Sequence, residues 1–260
     1  MMILDTITTY KRQEVAAAKK AFPLKMLGQS VYFDRKCHSL SQALRNSATG
    51  IIAEHKRRSP SKKIINDQAT LPDVVSAYAQ AGVSGISVLT DTKFFGGALT
   101  DLLLARSTVK TALLRKDFIV DAYQIYESKA YGADAILLIA ACLSEAQLQE
   151  YSDLATTLGL EVLLEIHNDE ELERVQHLPV AMIGVNNRNL KTFEVSITTS
   201  ETLADRIPDT IVKITESGIS EIDTVSSLRN MGYQGFLMGE HFMKQQDPGV
   251  AAHNFIQQLL

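Results

Sequence analysis

Three cations and three carboxylates occur in this chain at the same kind of place, the polar end of a short apolar run. Lys56, Lys116 and Arg188 carry the positive charges, and Glu54, Glu165 and Glu216 the negative ones. In a mouth shielded from water, a lysine can deliver a proton and a glutamate can take one, which is general acid and base chemistry. Arginine adds planar donors suited to a carboxylate or phosphate. Any one polar strand end is explained by strands stopping at water. Six such ends, Glu54-His55-Lys56, Arg115-Lys116-Asp117, Glu165, Asn186-Asn187-Arg188, Glu216-Ser217-Gly218 and Gly239-Glu240, put charges where burial is costly unless they are paired or at work.

The apolar runs are the elements that must position these groups. They are Ile51–Ala53, Gly85–Leu89, Ala112–Leu114, Ala135–Ile139, Leu160–Leu164, Met182–Val185, Ile211–Ile214 and Gly235–Met238. They are too short for helices and nearly continuous in Ile, Val and Leu, as strands of a parallel sheet covered on both faces are. Between them lie helical patterns such as Asp121–Tyr131, Glu145–Leu158, Asp169–Leu178 and Glu221–Met231. Ser144 and Ser220 read as N-caps, and Gly132, Gly159 and Gly232 as stops. Eight strands alternating with helices make a (β/α)8 barrel the expected fold, whose active site lies at the C-terminal strand ends. An open doubly wound sheet is the alternative; no G-x-G-x-x-G follows the first run to support a dinucleotide-binding version. Residues 1–48, with helical patterns at Leu4–Ala21 and Leu40–Asn46, form an extension too short for its own core, expected to pack across an end of barrel 49–260 within one domain.

Strand alternation sends Glu54 and Lys56 to one face, and likewise Asn186 and Arg188. His55 faces the other way, toward packing or solvent. The backbone around Ser217-Gly218-Ile219 and Gly239-Glu240-His241 falls at the last two strand ends, where barrels hold a substrate phosphate. The basic segment Lys56–Lys63 leaves a strand directly and has no interleaved aromatics. It reads as an active-site loop drawing in an anion, with most of its charges solvated, and not as a nucleic-acid patch.

Composition narrows the classes further. Of 260 residues 45% are hydrophobic and 22% charged, enough to bury a core without staples, and a net charge of -4 gives no reason to expect nucleic acid or an anionic membrane. Cys37 and Cys142 are far apart and outside any C-x-x-C, which fits a reducing cytoplasm. The six histidines have no metal-ligand spacing, so no metal is expected. The residues from Met1 to Thr6 lack a secretory signal, and the longest apolar run, Ala135–Leu143, is too short to span a membrane.

Several segments resemble the indole-3-glycerol phosphate synthase family. They are 52–61 (IAEHKRRSPS), 89–97 (LTDTKFFGG), 114–119 (LRKDFI), 184–190 (GVNNRNL), 215–219 (TESGI) and 237–240 (LMGE), together with the N-terminal Leu4-Asp5 and Lys11–Val15 region. The departures are Lys63 for glycine, Ala98 for serine, and Asn189 and Ser196 for aspartates, none at a proposed acid or base. The resemblance implies ring closure, decarboxylation and dehydration of 1-(2-carboxyphenylamino)-1-deoxyribulose 5-phosphate to indole-3-glycerol phosphate, in tryptophan biosynthesis and without a cofactor. It implies Lys116 as general acid and Glu165 as general base, with Lys56 and Glu54 assisting. Ser59, Asn186, Arg188 and Glu216 correspond to groups that hold the substrate, Phe95, Phe118, Leu137 and Leu190 to the apolar wall, and Ser217, Gly218, Gly239 and Glu240 to the phosphate site.

Two other readings compete. Phosphoribosylanthranilate isomerase would share the phosphate site but is expected to use a Cys and Asp pair, and the first strand here ends in Ala-Glu-His-Lys. A non-catalytic barrel that binds ribose phosphates as a sensor or scaffold would be favoured by loss of Lys116 or Glu165, and both are present. The partners expected are a small phosphorylated substrate and, transiently, neighbouring tryptophan-pathway enzymes.

Overall fold

The computed structural model of the protein describes residues 3–190 and 192–260. Three helices, α1 (Ile3–Ala21), α2 (Leu24–Leu27) and α3 (Leu40–Arg45), precede β1 (Ile51–His55). There follow α4 (Leu71–Gln80), β2 (Gly85–Leu89), α5 (Leu99–Thr108), β3 (Leu113–Lys116), α6 (Tyr123–Ala130), β4 (Ala135–Ile139), α7 (Glu145–Thr157) and β5 (Glu161–Ile166). The chain continues through α8 (Asp169–Val175), β6 (Met182–Asn186), α9 (Thr198–Leu203), β7 (Val212–Glu216), α10 (Ile222–Asn230), β8 (Tyr233–Met238), α11 (Glu240–Met243) and α12 (Pro248–Leu259). Each strand pairs in parallel with the next, and β8 pairs with β1, so the sheet closes into an eight-stranded barrel.

Alternation along the strands divides the core in two. Ile52, Leu114, Leu137, Leu163, Met182, Val212, Ile214 and Leu237 fill the barrel. Their neighbours Ile51, Ala53, Leu113, Ile136, Leu164, Ile183 and Phe236 face the helical layer. This alternation places the chemistry, because Glu54 stands two residues beyond Ile52, Lys116 two beyond Leu114, Glu165 two beyond Leu163, and Glu216 two beyond Ile214. The odd members point outward. His55 is 1% exposed among them, and Arg115 bonds the α6 backbone at Gln124 O (3.0 Å) and the Ser128 hydroxyl (3.1 Å).

The N-terminal segment touches both ends of the barrel. Leu40 and Leu44 of α3 are buried against Ile52, Ala135, Met182 and Val212 near the strand starts, closing the base. Gly85 is needed there, since a Cβ would stand 2.4 Å from Leu40 Cδ1. At the other end α1 brings Ile3, Leu4 and Ile7 to the mouth.

Several local signals hold. Ser144 caps α7 in a reciprocal pair with Gln147, and Gly132, Gly159 and Gly232 adopt left-handed backbone (φ +89°, +71°, +92°) after their helices. Ser220 does not cap α10. Glu221 takes that position without a side-chain cap, and the Ser220 hydroxyl bonds the Glu221 carboxylate at 3.1 Å. The third strand begins at Leu113, not Ala112, and ends on Lys116, so that lysine is held by the sheet itself. Among the described residues no helix is long and apolar enough to cross a membrane.

Candidate active site

A cavity of about 440 Å³ opens at the C-terminal ends of the strands. Glu54, Lys56, Lys116, Glu165 and Glu216 line its polar floor. Phe95, Phe118, Leu137 and Leu190 line an apolar side, Ser59, Asn186 and Arg188 the rim, and Ser217, Gly218, Gly239 and Glu240 the part beside β7 and β8. The Phe95 and Phe118 rings are tilted by 36° with centroids 5.9 Å apart, within packing distance of each other.

The floor is a charge lattice. Lys116 Nζ lies 3.1 Å from Glu216 Oε2 and 3.6 Å from Glu165 Oε2. Lys56 Nζ pairs with Glu54 Oε1 at 2.9 Å, and the Ser87 hydroxyl donates to the other oxygen of Glu54 at 3.2 Å. Burial disfavours the Lys116 ammonium, but Glu216, Glu165 and Glu54 outweigh it and hold the group above the ordinary lysine range. Burial likewise pushes Glu54 up, and Lys56 and Lys116 bring it back below the usual glutamate range.

Glu165 and Glu216 separate in charge although they share one lysine. Burial raises both. Lys116, a hydrogen bond with Glu216, and His167 together hold Glu165 well below its ordinary value. Burial and then the Glu165 charge push Glu216 well above. Their surroundings thus push the two carboxyls in opposite directions, Glu165 toward the charged form and Glu216 toward the neutral one. A cation beside an ionised carboxylate, under an apolar wall, can polarise a carbonyl, protonate the oxygen that forms, and remove a proton nearby.

The rim is ordered by its own bonds. Asn186 Oδ1 accepts from Arg188 N at 3.0 Å, and the Arg188 guanidinium donates to Phe193 O at 3.2 Å. Asn187, buried between them in sequence, bonds Thr215 Oγ1 (3.0 Å), Ser217 O (3.1 Å) and the Ser200 amide (3.1 Å), tying the ends of β6 and β7 together. Ser217 and Gly218 both have left-handed backbone, φ +69° and +78°, an arrangement glycine favours and serine seldom takes.

The basic loop is less solvated than its composition suggests. Arg57 makes a two-point contact with Asp101, Arg58 donates to the Thr92 and Lys93 carbonyls (2.7 and 3.0 Å), and Lys62 pairs with Glu240 across the cavity edge. These bonds bind the loop after β1 to the loop after β2 and to the start of α11.

Sequence reasoning missed two groups. Lys11 of α1, 1% exposed, lies 3.0 Å from both Asp91 Oδ2 and Asp117 Oδ1. Asp91 also accepts from the Phe94 and Phe95 amides (2.7 and 3.2 Å), and Asp117 from the Phe118 amide (2.8 Å), so one buried lysine secures the loops that carry both rings. His167 lies with Nε2 3.3 Å from Glu165 Oε1. Alternation gave the signal for it, since residue 167 shares a face with Glu165; Lys11 lies in a segment that carries the family resemblance, but nothing in the sequence marks it as buried or paired.

Relatives bear on the whole of this architecture. The profile for indole-3-glycerol phosphate synthase matches residues 4–255. The chain is 47% identical over 255 residues to the indole-3-glycerol phosphate synthase of Bacteroides thetaiotaomicron, covering 98% of each chain. It is 46% identical over 261 residues to that of Variovorax paradoxus, covering 96% of this chain and 97% of the other. Among solved structures, thiamine phosphate pyrophosphorylase from Pyrococcus furiosus superposes with a TM-score of 0.61 at 14% identity, over 84% of this chain and 99% of that one. A chain of the tryptophan synthase α2β2 complex from the same organism gives 0.58 at 16% identity, over 81% and 97%. Those two speak for the barrel alone. The sequence relatives go further, because they run nearly end to end through every strand that feeds the mouth, and on that ground the chain belongs to the indole-3-glycerol phosphate synthase family.

Proposed function

We propose that the protein closes the indole ring, converting 1-(2-carboxyphenylamino)-1-deoxyribulose 5-phosphate to indole-3-glycerol phosphate, carbon dioxide and water. The observation that carries this reading is the Lys116 ammonium held between Glu165 and Glu216 in the cavity that the Phe95 and Phe118 rings also line. The ring carbon bearing the carboxylate attacks the ribulose C2 carbonyl, carbon dioxide leaves, and the new hydroxyl departs as water. The sequence is redox-neutral and draws only on protons, which side chains supply.

Lys116 is the general acid at the carbonyl oxygen, and Glu165 the base for the dehydration. Lys56, oriented by Glu54, faces a substrate anion and can give the second proton. Arg188, Asn186 and Ser59 hold the anthranilate carboxylate and sugar hydroxyls, with Glu216 on the sugar side, while Phe95, Phe118, Leu137 and Leu190 flank the aromatic ring. The phosphate rests against the backbone of Ser217, Gly218, Gly239 and Glu240, where glycine allows close approach.

In this reading residues 1–48 and the barrel of 49–260 act as one domain, supported by the burial of Lys11 against two strand ends. A cytoplasmic enzyme fits the two free thiols, Cys37 and Cys142, and transient contact with tryptophan-pathway neighbours belongs to the same proposal. The test is to mix purified protein with the substrate in excess EDTA and follow indole fluorescence, with Lys116→Ala alongside. Turnover that survives the chelator and disappears in the variant supports the reading. Tight binding without turnover in the unaltered protein overturns it in favour of a ligand-binding barrel.

A further inference from the structure

Glu165 has a second cationic neighbour besides Lys116, and the structure around it is built to hold one orientation. His167 follows β5 directly, with its side chain 9% exposed. Its backbone N–H donates to Glu171 Oε2 at 2.8 Å, and its ring Nδ1 lies 3.2 Å from the same oxygen. Glu171 is itself fixed in the first turn of α8, where its amide donates to the N-cap Asn168 at 2.9 Å. With Nδ1 committed to Glu171, Nε2 is left facing Glu165 Oε1 at 3.3 Å, buried and off the line of a hydrogen bond.

We propose that His167 is a positioning residue for the base: clamped between Glu171 and Glu165 as an imidazolium, it makes Glu165, and not Glu216, the charged member of the carboxylate pair. The inference rests on the reading of Glu165 as the base. The lysine alone would favour charge on Glu216, since Lys116 stands nearer Glu216 (3.1 Å) than Glu165 (3.6 Å). A cation on the far side of Glu165 reverses that preference.

The charged groups around the imidazole agree in sign. Glu165 faces it from β5 and Glu171 from α8; against burial, which opposes the charge, these two carboxylates raise the imidazolium to about 10. Lys116 and Glu216 lie beyond Glu165. Cys142, in the turn after β4, feels the same two carboxylates and is kept a thiol by burial first, with smaller influences from Arg12 and Asp5 of α1. The groups that face the ring nitrogens are both anionic.

Two measurements test this. The first follows the ring NMR signals of His167, assigned by comparison with His167→Asn, from pH 5 to 10. Signals of a charged ring through pH 8, moving to ordinary titration near the histidine reference value of about 6.5 in Glu165→Gln, support the clamp. A ring neutral at pH 8 in the unaltered protein overturns it, whatever the role of Glu165. The second is the pH profile of kcat and KM for ring closure in His167→Asn and Glu171→Gln. The acid limb of kcat is expected to rise by about one unit, giving a roughly tenfold loss below it that recovers as pH rises, with KM within about twofold. Loss of kcat by one factor at every pH would mean that His167 is merely structural. Full activity in Glu165→Gln would instead remove the base reading and leave the NMR result to stand alone.

Discussion

Lys11 Nζ, on the N-terminal helix, lies 3.0 Å from Asp117 Oδ1, and Asp117 is the residue next to Lys116. A segment outside the barrel thus shares a buried ion network with the strand end that carries the proposed acid. Asp91 and Asp117 have side chains 0% and 1% exposed, so removing the lysine would leave two buried carboxylates without their common partner. Breaking a buried pair from one side typically costs about 3–5 kcal/mol. Lys11→Met is expected to lose that much in urea unfolding at neutral pH, and to lower kcat because the Phe95 and Phe118 loops lose their tie. A loss below about 1 kcal/mol would mean the aspartates find other donors.

The same network gives a pH signature. Burial raises Asp117, but Lys11 and Arg115 outweigh it, so the folded value lies below the ordinary aspartate range. Its stabilisation is present above the unfolded value and lost as pH falls through the lower folded one. Lys11, raised by Asp117, Asp91 and Glu14 against burial, contributes fully below its unfolded 10.5 and loses that only above it. Both contributions are whole at pH 7. The stability gap between the unaltered protein and Lys11→Met should be widest near neutrality and narrow below about pH 4, read from urea midpoints at pH 7 and pH 3. A gap constant over that range would place the lysine's effect in packing alone.

These two residues also mark where sequence reading stops. The strands were legible because a strand covered on both faces is apolar at nearly every position, and the floor was legible because charge at the end of such a strand is conspicuous. Lys11 sits in a run, Lys11-Arg12-Gln13-Glu14, that has the look of any solvated helix face, and its partners lie 80 and 106 positions away. Only the closed sheet brings them together. Arg57 fails in the same way, since it looks like part of a free basic loop until α5 presents Asp101 to it. His167 failed for a different reason: a search for metal-ligand spacing asks which histidines neighbour one another, and this one neighbours carboxylates.

Gly239 and Glu54 provide a third test. A Cβ on Gly239 would stand 2.6 Å from Glu54 Oε1 and 3.1 Å from Glu54 Cβ, so Gly239→Ala must displace the glutamate. The bonds at stake are those to Lys56 and Ser87. Gly239 has φ -119°, which alanine can adopt, so backbone strain is not expected. Misplacing a group that orients a catalytic lysine should lower kcat by about 10- to 100-fold. Circular dichroism should give a melting temperature close to that of the unaltered protein. Unchanged kcat would show that Glu54 need not hold Lys56 in this place.

Lys62 and Glu240 form the last pair with a separable effect. Their side chains are 50% and 36% exposed, so the bridge contributes little to stability, about 0–1 kcal/mol. Its consequence lies in binding, because Glu240 brings a carboxylate to the proposed phosphate site, and Lys62 is the charge that offsets it. Lys62→Ala should raise KM for the phosphorylated substrate by about fivefold at low salt, as one uncompensated charge near the surface implies. Glu240→Gln added to it should restore most of that loss, since the repulsive group is then gone. Raising the ionic strength toward 0.5 M should shrink the difference, with the screening length falling below about 8 Å. A defect in Lys62→Ala that neither the second substitution nor salt relieves would mean that Lys62 acts by holding the loop after β1, through the hairpin bond from its amide to Ser59 O at 3.1 Å, and not by its charge.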